Sequence, residues 1–188
     1  MPPNERPTYA DRVEIAPDTK DWTWVLDQSC PACAFTASDV AVTDLAARTR
    51  ATVPPWRRVL ARPSAAVRPD PAVWSPLEYA CHVRDVYRLF DRRLRLILDE
   101  DDPQFENWDQ DETAVRNRYG EQDPAIVGAQ LIEAGQAIAA TFDGVPAGAW
   151  SRPGRRSNGS VFTLASLGRY FLHDVVHHLH DVAADPGS

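Results

Sequence analysis

Residues 75–98 read SPLEYACHVRDVYRLFDRRLRLIL, and this stretch sets the architecture. Ser75 at the N-cap, Pro76 at the first helical position and Glu78 at the third make a capping box with its favoured proline. Leu77, Cys81, Val86, Leu89, Phe90 and Ile97 recur at helical spacing. A helix is therefore expected to about Leu98, where Asp99-Glu100-Asp101-Asp102-Pro103 stops it. Acidic residues oppose the dipole at a helix C-terminus, so fraying is expected there.

Outward from this helix the same periodicity returns three times. Upstream, a helix is expected from near Ser38 to about Thr52 on Val40, Val42, Leu45 and Ala46, resuming at Trp56. The pair Pro54-Pro55 should kink or split it. Downstream, Asp123-Pro124 opens a helix carrying Ile126, Val127, Leu131, Ile132 and Ile138, which ends before Gly144. The last runs from about Thr163 to Ala184 with Leu164, Leu167, Tyr170, Phe171, Val175, Val176 and Leu179 inward. Residues 99–122 form a long polar connection containing Trp108 and a short helix around Asp109–Arg118. A loop of that length tends to be functional. Residues 147–161 read as a second loop rich in Gly, Ser and Arg. Four long helical patterns with weak strand signals indicate an all-α bundle of four main helices over residues 38–188. An irregular arm, residues 1–37, precedes it. A short strand or turn is expected at Trp22–Leu26, and Trp22, Trp24 and Phe35 are expected to cover the edge of the core.

The chain has 188 residues, enough for one domain with a real core, and its 44% apolar content excludes disorder as the main state. A net charge of −7 and a pI near 5.2 argue against nucleic acid and anionic lipid as partners. No apolar run is read as reaching the roughly 18–20 residues of a bilayer crossing. The first residues show no basic segment followed by an apolar one, so a cytoplasmic location is expected. All basic residues but Lys20 are arginine, which with abundant Ala, Pro and Asp suggests a GC-rich genome. Three cysteines, Cys30, Cys33 and Cys81, make an odd count that argues against a disulfide scaffold. Cys30-Pro31-Ala32-Cys33 is a lone CxxC. No second pair stands at zinc-site spacing, and no βαβ pattern supports a redox motif. The plain reading is two reduced thiols in the arm, with a redox or second-metal role as the alternative.

Four of the five histidines fall within residues 173–180. At about 100° per residue, His173 and His177 lie on one helix face, one turn apart, both able to reach a single ion. His180 returns near that face a further turn along. His178 swings away, toward solvent or a neighbouring helix. The remaining histidine, His82, lies midway along the second helix and can face inward. Facing helices of a bundle build metal sites in this way, and His82, His173 and His177 with an open fourth position describe a catalytic rather than a structural zinc. Asp174 and Asp181 are candidates for orienting a ring through its other nitrogen, and Asp181, four residues after His177, is also a competing ligand.

The segment Trp74-Ser75-Pro76-Leu77-Glu78-Tyr79-Ala80-Cys81-His82, followed far downstream by His173-Asp174-Val175-Val176-His177-His178, resembles the DinB-like superfamily. That superfamily includes mycothiol-dependent maleylpyruvate isomerases and bacillithiol and mycothiol S-transferases. The resemblance covers about residues 38–184 and leaves out the arm with its CxxC. It implies a four-helix bundle holding a divalent metal on a histidine of the second helix and two of the last, matched by His82, His173 and His177. One departure is His180, where many relatives carry Gln. Asp109-Gln110-Asp111 resembles a stretch near the pocket mouth of relatives.

The resemblance implies a metal-bound thiolate, formed from a small thiol, that attacks an electrophile. Thiol S-transfer or thiol-dependent isomerisation is thus the leading expectation, with mycothiol as co-substrate and zinc before nickel or iron as the metal. A hydrolase using metal-bound hydroxide, and a non-catalytic metal-binding stress-response bundle, stand as alternatives. Arg155 and Arg156 could grip an acidic group, with solvated loop arginines as the plainer reading. Trp108 is expected to line the pocket or roof the core. Tyr79 is expected to pack in the core, with proton donation as the other role. A homodimer through an outer helix face is compatible with such a bundle.

Overall fold

The computed structural model describes residue 15 and residues 20–183. Most of the N-terminal half of the arm, and the expected helix end at Ala184, lie outside the described residues. The long helices are α1 (Leu45–Leu60), α2 (Pro76–Asp99), α4 (Pro124–Asp143) and α5 (Leu164–Asp181), with a short α3 (Gln110–Arg116) between α2 and α4. Both α4 and α5 pack against α1 and against α2. The core between them includes Trp56, Tyr87, Leu131, Ile138, Leu167 and Phe171, all essentially inaccessible to solvent.

The start of α2 follows its sequence. The Ser75 hydroxyl accepts from the Glu78 N–H (3.2 Å), and the Glu78 carboxylate accepts from the Ser75 N–H (2.8 Å). Glu78 is also buried and takes the Arg68 guanidinium side-on, with Nε 2.9 Å from Oε2 and Nη2 2.5 Å from Oε1. This pair anchors the 61–75 connection one helical turn ahead of His82. At the other end of α2 the acidic run does stop the helix, with the Glu100 N–H bonded to the Leu96 carbonyl.

Two helices depart from expectation. α1 starts at Leu45 rather than Ser38, because residues 37–44 are wound into two short 3₁₀ turns. It also runs through Pro54 and Pro55 without a break. Each proline removes one backbone donor, but Val53, Pro55, Trp56 and Val59 are all buried. Packing of that face outweighs the lost hydrogen bonds. α4 is long and apolar enough to match a bilayer span, contrary to the reading of the sequence. It serves instead as a core helix, burying Val127, Leu131, Ile138 and Phe142.

The two polar connections meet in a small sheet. β1 (Gln104–Phe105) pairs in parallel with β2 (Pro153–Arg156), and β2 pairs antiparallel with β3 (Val161–Thr163). Gly154 is required at its centre, since a Cβ there would stand 2.6 Å from the Ile97 side chain of α2. The sheet delivers the chain into α5, where the Thr163 side chain caps the helix by accepting from the Ser166 N–H (3.1 Å). The arm from residue 20 carries a 3₁₀ turn at Thr23–Leu26 and lies along α5. Its Val25, Cys30, Phe35 and Ala37 are buried.

Candidate metal centres

Both faces of α5 that carry histidine meet other donors. On one face His173 and His177 approach the arm, where Cys30 and Cys33 complete a set whose donor atoms all lie within 4.8 Å of one another. On the other, Asp174 and His178 approach His82 of α2 in a second set of the same tightness. The three imidazoles expected to share one ion are thus divided between two clusters. The reason is helical phase. Residues 173 and 177 and residues 174 and 178 are both one-turn pairs, offset by about 100°. The arm covers the first face and α2 covers the second. His178, read as swung away, faces the neighbouring helix, with its ring centroid 4.6 Å from that of His82.

In the α2–α5 cluster, His82 Nε2 and His178 Nε2 each lie 3.6 Å from Asp174 Oδ1. That is too long for hydrogen bonds, but close to the edge of about 3.3 Å expected between donors bound 2.0–2.1 Å from a common tetrahedral ion. His82 is fully buried, and neither of its ring nitrogens has a hydrogen-bond partner; Asp174 Oδ1 is likewise buried without one. Leaving such groups unmatched costs about 1–3 kcal/mol each, so the cluster has the character of a cation site. His178 Nδ1 sits 2.8 Å from an Asp181 carboxylate oxygen. That contact places the proton on Nδ1 and leaves Nε2 as the donor atom. Burial holds His82 below its usual pKa, in the neutral form a ligand needs. Burial opposes charge on Asp174, but the His82 and His178 imidazoles outweigh it and lower its pKa.

A cavity of about 600 Å³ is lined by Asp174 and His178 of this cluster and by His173 and His177 of the other. Trp108 forms part of its wall and stacks on His82 at 5.3 Å between ring centroids, its indole N–H held by Thr113. Asp109, Gln110 and Asp111 lie at the same wall, and Asp174 and Asp181 also line the cavity. Alternation along β2 separates the two arginine candidates. Arg156 faces the cavity across Phe162 and Tyr170, whereas Arg155 points outward to Asp102 (2.8 Å) and does not line it. Tyr79 lines the cavity beside His178, and burial pushes its hydroxyl up to about 12, so it is a hydrogen-bond donor at neutral pH. His180 is exposed and belongs to neither cluster. Cys81, buried with its thiol pushed up to about 12 by desolvation, is also outside both.

A family model described as the DinB superfamily matches residues 45–182. The chain belongs to the DinB superfamily. Among solved structures, it is similar to YfiT from Bacillus subtilis, described as "a probable metal-dependent hydrolase with an unusual four-helix bundle topology". The TM-score is 0.59 at 18% identity, over 76% of this chain and 81% of that one. This likeness supports the four-helix bundle expected from the sequence. No curated protein is similar to the chain in sequence.

Sequence reasoning missed His178 as a candidate ligand, although Asp174 and His178 have the same i, i+4 spacing as His173 and His177. Nothing in the periodicity alone says which pair faces α2.

Proposed function

We propose that this DinB-superfamily chain is a divalent-metal-dependent enzyme whose catalytic ion is held by His82, Asp174 and His178. The observation that carries the reading is the convergence of these donors, with His82 Nε2 and Asp174 Oδ1 buried without hydrogen bonds and Asp174 and His178 at the wall of a 600 Å³ cavity. This replaces His173 and His177 of the sequence-derived set by Asp174 and His178. An ion in such a site supplies Lewis acidity, lowering the pKa of a small nucleophile that reaches it. The protein's own groups do the rest. Asp181 fixes the His178 tautomer, Trp108 and Tyr79 shape the wall, and Arg156 offers a guanidinium to an acidic group of the substrate.

Thiol S-transfer or thiol-dependent isomerisation, with a mycothiol-type thiol and a small electrophile, is the first reading. It rests on the superfamily resemblance and on a cavity within the range that holds a drug-sized ligand. Hydrolysis is the second. What favours it is the donor set itself, since two imidazoles and one carboxylate are the ligands of several zinc hydrolases, together with the description of YfiT as a probable metal-dependent hydrolase.

The test is turnover of an activated electrophile such as a chlorodinitrobenzene, and of simple ester and amide substrates, with and without mycothiol. The first reading expects thiol-dependent turnover of the electrophile that His82→Ala and Asp174→Ala abolish. Thiol-independent hydrolysis with the same mutational pattern replaces it by the second reading. Full activity in both variants would remove the site from either.

A further inference from the structure

We infer that Cys30, Cys33, His173 and His177 form a second, structural zinc site that fastens the N-terminal arm to α5. This goes beyond the proposed catalytic site and does not depend on it.

The four donors lie within 4.8 Å of one another, two on the arm and two on a single face of α5. Zinc bonds of about 2.3 Å to sulfur and 2.0–2.1 Å to nitrogen give tetrahedral edges of roughly 3.3–3.8 Å. Cys30 Sγ already stands 3.5 Å from His177 Nδ1. The other ring nitrogen of His177, Nε2, faces Asp181 Oδ1 at 3.6 Å, beyond hydrogen-bond distance but on the side from which a carboxylate orients a zinc-bound imidazole. His173 Nε2 is buried without a hydrogen-bond partner. Its ring is held between Phe35 and Trp22, at centroid distances of 5.5 and 6.0 Å.

The backbone is shaped for this role. The Cys30 N–H donates to the Phe35 carbonyl and the Ala34 N–H to the Cys30 carbonyl, both at 2.8 Å. This closes a tight loop around the CxxC. Closing it holds Ala34 at φ 59°, in the left-handed region that a side chain disfavours. Two thiolates and two imidazoles form a closed, soft, tetrahedral set, which selects zinc over ions preferring oxygen and leaves no position for substrate. The arm from residue 20 to 37 has only short turns of regular structure, so a metal clip adds a cross-link to its packing on α5. The clip also has a consequence for the cavity, because Lys20, Asp21 and Trp22 of the arm form part of its wall.

The experiment uses the full chain purified without chelator, with zinc and cobalt as probes. Metal analysis is expected to show that Cys33→Ser and the Cys30→Ser/Cys33→Ser double variant each lose one equivalent of zinc. His82→Ala/Asp174→Ala is expected to keep that equivalent. Cobalt-loaded wild type and the His82→Ala/Asp174→Ala variant should both show thiolate-to-cobalt absorption in the near ultraviolet, which the cysteine variants lack. A readout that needs no variant covers misfolding: alkylation of Cys30 and Cys33 in wild type should be slow with zinc and accelerate on chelation. The inference is overturned if wild type shows no thiolate-to-cobalt absorption, if chelation leaves alkylation unchanged, or if Cys30 and Cys33 are recovered as a disulfide. Failure of the catalytic site appears separately, as loss of effect in the His82→Ala/Asp174→Ala variant alone.

Discussion

Replacing His82 by leucine should stabilise the protein without metal and destabilise it with metal. The side chain is fully buried, and both ring nitrogens lack hydrogen-bond partners. Removing a buried unmatched polar group recovers about 1–3 kcal/mol, so two such atoms recover about 2–6 kcal/mol. Lost ring contacts with Trp108 and His178 take back about 1 kcal/mol each. The net gain in chelator is then about 0–4 kcal/mol, centred near 2 kcal/mol, which is roughly 4–8 °C in Tm for a chain of this size. With free zinc at about a thousand times Kd, the wild-type site contributes about 4 kcal/mol that the variant forgoes, and the order of stability reverses. Making both proteins in a Cys33→Ser background removes the site on the arm from the comparison. Urea unfolding of wild type and His82→Leu, each in chelator and in zinc, reads the four free energies directly. If the variant is less stable than wild type by the same amount in both conditions, His82 is an ordinary core residue and the reasoning fails.

Other outcomes follow from the same geometry. In metal-free protein the pKa of His173, lowered by burial to about 4 from 6.5, means the unfolded chain binds the proton first. Stability should therefore fall as pH drops from about 6.5 to 4, by about 3 kcal/mol for this group, and His173→Gln should flatten that slope in pH-dependent urea titrations. Arg68→Ala strands the buried Glu78 carboxylate and should cost about 3–5 kcal/mol, read as a loss of Tm at neutral pH. Asp181 faces His178 Nδ1 with one oxygen and His177 Nε2 with the other. Asp181→Ala should therefore weaken zinc at both clusters, each by about 10–100-fold, measurable by competition with a chelating dye. Arg156→Gln should raise KM for an acidic electrophile more than for a neutral one with little change in kcat; equal effects on both would remove its anchoring role.

The helices were legible because their starts are local chemistry. Ser75-Pro76 and Asp123-Pro124 specify caps within a few residues, and both appear as helix N-termini. The course of α1 through Pro54-Pro55 was not legible, because what decides it is burial of Trp56 and Val59 by other helices. The sheet escaped for a similar reason. β1 has two residues, and β2 reads Pro-Gly-Arg-Arg, so neither carries a strand pattern; pairing across some fifty residues of sequence creates them. Arg155 and Arg156 look equivalent in the chain, and only the strand's alternation assigns one to the cavity.

The site shows the same division between local and distant information. The stretch His173-Asp174-Val175-Val176-His177-His178 contains two interleaved i, i+4 pairs, and a helix must present them on different faces. A bundle alone offers α2 as the only donor-bearing neighbour, so a single three-histidine site is the natural deduction once the arm is set aside. The arm changes that deduction, because its two thiols cover one face and leave the other to His82. Asp181, one turn beyond both pairs, bonds His178 Nδ1 in one cluster at 2.8 Å and stands 3.6 Å from His177 Nε2 of the other. Loading one cluster therefore fixes a carboxylate that the other also uses. Binding at the arm should raise affinity at His82, Asp174 and His178, and by linkage the reverse holds with the same factor.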